Sequence, residues 1–134
     1  MEFMTVRTTG LSAFKFNAFL FCLLFSFNSL KAQYVAIPDS GFVTWLYNNG
    51  FSQSMRNDSI DTTSHQVLTA TYINTSYQHI GSLEGLQYFT ALDSLKCNSD
   101  TTLTYIPALS GSLRVLECRN DSLTFLPALP GSLT

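Results

Sequence analysis

Leu92-Asp-Ser-Leu-Lys-Cys97 returns as Leu113-Arg-Val-Leu-Glu-Cys118, and Leu103-Thr-Tyr-Ile-Pro-Ala-Leu109 returns as Leu123-Thr-Phe-Leu-Pro-Ala-Leu129. The offset is 21 residues for the first pair and 20 for the second, so one residue is inserted among Asn98 to Thr102, where a turn absorbs it. A period this short predicts a solenoid, in which each coil buries its apolar face against the next. Surfaces built by stacking are suited to binding other macromolecules.

The apolar positions hold one phase from Ile80 through Leu83, Leu86, Phe89, Leu92, Leu95 and Cys97, then from Leu103 to Cys118, then from Leu123 to Leu133. This is the leucine-rich pattern, and the expected fold class is an α/β solenoid: a leucine-rich repeat with short parallel strands, an N-terminal helical cap and a largely non-helical convex side. Within Leu-x-x-Leu-x-Cys the Leu and Cys point inward and the intervening residues outward, because side chains alternate along a strand. Pro107, Pro127 and Pro130 lie on the return path, where they remove amide donors, and 20 or 21 residues leave little room for a helix. Where the common pattern carries Asn after the Cys, this chain has Asp121, and Asp100 or Thr101 one repeat earlier. An ionised Asp can only accept, so it reads as a tolerated variant near the turn surface.

Ahead of the repeats, Asp39 suits an N-cap, Phe42, Val43, Trp45 and Leu46 form an apolar helical stripe, and Gly50 suits the left-handed position that ends a helix. One short helix is expected over Ser40 to Asn49. Ser52 to Ser64 is polar and aperiodic and reads as a loop. Val67 to Ile73, rich in β-branched and aromatic residues, reads as a strand that starts the stack.

Of 134 residues 46% are hydrophobic, a fraction inflated by the first 32. Arg7 and Lys15 precede an uncharged run from Phe16 to Leu30, and small Ala32 follows. This reads as a secretory signal peptide, residues 1–32, because the run is short for a membrane span of about 20 apolar residues; the alternative is an uncleaved anchor, since Leu30 is not the small residue that cleavage after Ala32 prefers. The expected domains are then a cap and loop over 33–66 and repeats over 67–134. No stable membrane insertion is expected after cleavage, and the product is expected outside the cell or on its surface. Gln33 to Thr134 carries four basic residues against eight acidic ones, a formal charge of −4. Nucleic acid is excluded as a partner because clustered Lys and Arg are missing.

Cys97 and Cys118 share one repeat position and read as inward-pointing free thiols. Adjacent strands, about 4.8 Å apart, also lie within the range a disulfide accepts. Cys22 falls in the removed segment.

Chemistry-bearing residues are sparse. His65 and His79 have no second ligand at a metal-site spacing. Asn57 to Asp61 alternates oxygen-bearing residues but lacks the Gly and the Glu of a calcium loop. No Gly-x-Ser-x-Gly elbow or phosphate-binding glycine loop occurs. The chain is expected to be non-enzymatic, with no cofactor and no metal. The expected binding residues are the outward positions of the two repeated strands: Ser94, Lys96 and Asn98 on one, Val115, Glu117 and Arg119 on the next.

The residues quoted resemble those of secreted bacterial leucine-rich-repeat proteins. Ile37-Pro-Asp-Ser-Gly-Phe-Val-Thr-Trp-Leu46 is similar to the helical cap of internalin-like proteins, and Ile80 to Cys97 to their first coils. Leu126-Pro-Ala-Leu-Pro-Gly-Ser-Leu133 resembles the short repeats of bacterial effectors. Cys-bearing repeats behind such a cap look like those of Bacteroidota surface proteins, and Asp-Ser-Leu and Asp-Thr-Thr triplets resemble that group's O-glycosylation motif. The resemblance implies a protein or glycan partner held on a concave face. Because the chain stops partway through a strand motif, it is expected to be a fragment. The alternative is the non-catalytic front module of a larger secreted enzyme or effector.

Overall fold

The computed structural model describes residues Ala32–Thr134, so the expected signal peptide, apart from its last residue, lies outside the described residues. The elements run β1 (Tyr34–Ala36), α1 (Ser40–Asn48), β2 (Met55–Arg56), β3 (Ser59–Asp61), α2 (His65–Thr69), β4 (Tyr72–Asn74), β5 (Ser94–Lys96) and β6 (Val115–Glu117). Single 3-10 turns at Ser52–Ser54 and Leu86–Tyr88 complete the set.

The solenoid expectation is corrected by this arrangement. The described residues form two helices and two three-stranded sheets, one antiparallel in the order β1-β3-β2 and one parallel in the order β4-β5-β6. The physical reason lies in how little of the chain the repeat controls. Its period brings Leu95 opposite Leu116 in neighbouring parallel strands, with Ile73 on the other side of Leu95. It sets no pairing before Tyr72. Leu123 to Leu129 adds no strand, and Pro127 and Pro130 have no amide to offer a ladder.

The front of the fold follows local chemistry. Asp39 caps α1, its Oδ1 accepting from the Phe42 amide at 2.8 Å. Phe42, Val43, Trp45 and Leu46 make the buried stripe. The helix ends as Gly50 takes φ +94° and the Phe51 amide folds back on the Leu46 carbonyl at 3.1 Å, which satisfies a carbonyl otherwise left unpaired.

Two local expectations fail. The presumed loop Ser52 to Ser64 contains β2 and β3, joined by Asn57-Asp58 with Asn57 at φ +53°, a conformation Asn tolerates in tight hairpins. The presumed strand Val67 to Ile73 is split. Ser64 Oγ accepts from the Val67 amide and starts α2, and only Tyr72 and Ile73 of that segment enter β4.

One apolar core runs through both sheets, from Ile37, Phe42 and Ile60 to Ile73, Leu95, Ile106 and Leu113. Its joint is aromatic. Phe51 lies edge-on to Phe89 with ring centroids 5.2 Å apart, and stacks on the other side with Trp45. At Gly85, φ is +110° and a Cβ would overlap Ile37, so the rear chain touches the front closely there.

Candidate binding face and a thiol pair

The outward face of the parallel sheet is built by register. Tyr72, Ser94 and Val115 form one row, and Asn74, Lys96 and Glu117 the next. The ladder continues past the strand ends, with the Tyr77 amide donating to the Asn98 carbonyl and the Ser99 amide to the Arg119 carbonyl. All six expected residues therefore lie on the two neighbouring strands or directly beyond them.

Polar contacts order this face. Lys96 Nζ meets Glu117 Oε1 at 3.0 Å, Asn98 Nδ2 donates to Glu117 Oε2 at 3.3 Å, and Asn98 Oδ1 accepts from the Arg119 amide at 3.0 Å. The hydrogen bond from Lys96, then that from Asn98, holds the Glu117 carboxyl below its ordinary range, and the same carboxylate raises Lys96. Both partners remain about a third exposed, so the pair orients side chains more than it stabilises the fold. Below it Arg114 pairs with Asp93 across the same two strands.

Sequence reasoning placed a strand over Val67 to Ile73 but left Tyr72 and Asn74 of β4 out of the expected face. Tyr72 is 54% exposed, and Asn74 is exposed beside it. Trp45 Nε1 donates to the Asn74 carbonyl at 3.1 Å, which ties α1 to the edge of β4. Trp45, Asn49, Phe51, Tyr72 and Asn74 surround a pocket of about 190 Å³. The signal was present in Tyr72-Ile-Asn74, which carries an inward Ile between two outward residues, 22 residues ahead of Ser94-Leu-Lys96.

Beneath the face, the aspartates form a ladder of their own. Asp100 Oδ2 accepts from the Ile80 amide at 2.7 Å, and Asp121 Oδ1 accepts from the Asp100 amide at 2.9 Å. Asp100 is 1% exposed, so it is a buried acceptor rather than a residue near the turn surface. Each carboxylate satisfies an amide one turn earlier, a role that needs acceptors only. Asp121 Oδ2 is buried without a partner, and burial pushes that carboxyl above its ordinary range.

Cys97 is buried and Cys118 half-buried, both as free thiols. Cys97 Sγ donates to Cys118 Sγ at 3.1 Å and also faces the Glu117 carbonyl at 3.5 Å. Donation to Cys118, then burial, pushes the Cys97 thiol up; accepting that bond draws Cys118 down. A carboxylate oxygen of Asp121 lies with both sulfurs inside 4.8 Å, the one group of three metal-ligating side chains among the described residues. His65 and His79 are both exposed, on α2 and on a left-handed turn residue. Among the described residues no helix is long and apolar enough to cross a membrane.

No family model, curated protein or solved structure matches the chain.

Proposed function

We propose that this chain is a non-catalytic binding protein, exported from the cell or displayed on its surface, that engages another protein through the outward face of β4, β5 and β6. One observation carries the reading: the register that aligns Tyr72, Ser94 and Val115 in one row and Asn74, Lys96 and Glu117 in the next. An exposed aromatic ring flanked by an amide and a pre-oriented ion pair is the composition of a protein contact surface, where Tyr anchors and charges set the register of the partner. Export rests on the charged, then apolar, then small-residue order of Met1 to Ala32.

The test is a binding screen of the full chain against displayed extracellular proteins and, in parallel, a glycan array. A protein ligand should lose at least tenfold in affinity with Tyr72→Ala and with Lys96→Glu, and keep its affinity with Gln78→Ala on the exposed turn beyond the sheet. A ligand indifferent to both face variants would remove this surface from the site. Binding confined to the array would assign the face to glycans instead.

A further inference from the structure

The thiol pair has no part in the binding face, and its geometry supports a separate reading. We propose that Cys97 and Cys118 are a redox-closing dithiol, in which Cys118 exchanges with an external disulfide and Cys97 then closes the bridge between the ends of β5 and β6.

The two sulfurs lie 3.1 Å apart, about 1 Å more than a disulfide bond. They follow directly on paired residues, Lys96 and Glu117, in adjacent parallel strands. That spacing of about 4.8 Å lies within the Cα separation a disulfide accepts. Closure therefore needs side-chain rotation rather than rearrangement of the sheet.

The two positions also differ in the way an exchange reaction requires. Cys97 is fully buried, whereas Cys118 borders an open pocket of about 300 Å³ together with Asn120, Asp121, Leu123 and Phe125. An incoming disulfide thus reaches Cys118 first. The hydrogen bond from Cys97 favours the thiolate at Cys118, the form that attacks.

The oxidant is a low-molecular-weight disulfide of the glutathione type. Deprotonated Cys118 Sγ attacks one sulfur of it, the external S–S bond breaks, and the first external thiolate leaves and is protonated. Cys97, losing its proton to water, then attacks Cys118 Sγ in the mixed disulfide and expels the second external thiolate. Two protein thiols are oxidised to one disulfide, and one external disulfide is reduced to two thiols.

A metal ion is the rival occupant of this cluster. Two thiolates on one tetrahedral zinc sit about 3.8 Å apart, given Zn–S bonds of about 2.3 Å. The sulfurs here are closer than that, which favours the dithiol; Asp121 Oδ2, free of a partner, is the oxygen a metal would take, so zinc is one arm of the test.

The experiment uses the full chain carrying Cys22→Ser, so that two thiols remain, incubated with oxidised glutathione and mapped by non-reducing peptide mass spectrometry. The expected product is a Cys97–Cys118 cross-link lacking two hydrogens and bearing no glutathione, formed at least tenfold faster in buffer than in denaturant. Cys97→Ser should trap a stable glutathione adduct on Cys118. Cys118→Ser should form its adduct on Cys97 at least tenfold more slowly. Two free thiols after the wild-type pair has equilibrated, or a persisting adduct on Cys118 with Cys97 still present, would overturn the proposal. So would protection by equimolar zinc that disappears in Asp121→Ala, since the cluster would then be a metal site.

Discussion

The front and rear of this fold bury their apolar residues by different means. Around α1 and the antiparallel sheet, burial comes from unlike side chains fitted together: Phe42, Trp45 and Phe51 stack in series, and Ile60 lies fully buried beneath them in β3. Around the parallel sheet it comes from one residue type returning in phase, and it fades along the chain. Leu95 and Leu113 are fully buried, Leu116 and Leu123 are half-buried, and Leu126 and Leu129 are exposed. The aromatic front in turn leans on the rear, where Phe89 packs edge-on to Phe51.

The largest expected effect comes from cutting each region at its centre. Phe42→Ala should cost about 3–5 kcal/mol and Leu95→Ala about 2–5 kcal/mol, since both side chains are fully buried and leave cavities that close only in part. Because Phe51 and Phe89 join the two halves, urea unfolding followed separately by Trp45 fluorescence and by far-UV circular dichroism should give one coincident transition in either variant. If Leu95→Ala instead leaves a Trp45 transition at the wild-type midpoint, the regions are independent and the shared core is refuted.

Asp39 is the polar counterpart of that aromatic joint. Its Oδ1 caps α1, and its Oδ2 accepts from the amides of Gly81 at 2.9 Å and Ser82 at 3.1 Å, more than 40 residues further along the chain. Asp39→Ala should cost about 2–4 kcal/mol, the sum of a lost cap and two stranded amides. Asp39→Asn, with one carbonyl oxygen for three donors, should fall midway. Equal loss from both variants in equilibrium unfolding would mean that charge, not acceptor number, is what Asp39 contributes.

Leu116→Ala measures the fading of burial directly. It occupies the same repeat position as Leu95 but is half-buried at the edge strand, so its loss should be below about 2 kcal/mol and smaller than that of Leu95→Ala. Losses of equal size would show that β6 is covered in solution by something that buries its outer side.

These contrasts also explain what was legible in the sequence. The cap at Asp39, the stripe from Phe42 to Leu46 and the stop at Gly50 were readable because each is satisfied within a few residues. The pairing of Leu95 with Leu116, and with it the side-by-side placement of Ser94 with Val115 and Lys96 with Glu117, was readable from the 21-residue offset. The fold class was not, since the repeat was extended over a chain whose first sheet owes nothing to it. Hairpin strands of two and three residues, Met55–Arg56 and Ser59–Asp61, are too short for alternation to register, and only the Asn57-Asp58 turn marked them. Val67 and Thr69 have strand propensity, yet the Ser64 cap and burial of Val67 carry that segment into α2; tertiary contact outweighs a weak preference. The closeness of Asp121 to both sulfurs was also missed, because it depends on a residue three places after one Cys folding back towards the other.

The smallest effect separates the two kinds of carboxylate at the rear. Glu117, held low by Lys96, contributes stability above the unfolded-chain value of about 4.3, and that contribution is lost as pH falls through its folded pKa. Asp121 has the opposite sign. Its folded pKa is raised by burial, so its ionised form costs stability at neutral pH, and the cost is relieved as pH falls from that pKa towards the unfolded value of about 3.9. Asp121→Asn keeps an oxygen for the Asp100 amide and removes the charge from the unpartnered side. It should therefore raise stability at pH 7 by no more than about 1 kcal/mol, since the group is only partly buried, and the gain should vanish in urea titrations near pH 3.5. A loss at pH 7 would mean that Oδ2 finds a donor in solution and that the ladder prefers a charged acceptor. The rear of the fold would then depend on its aspartates as the front depends on Asp39.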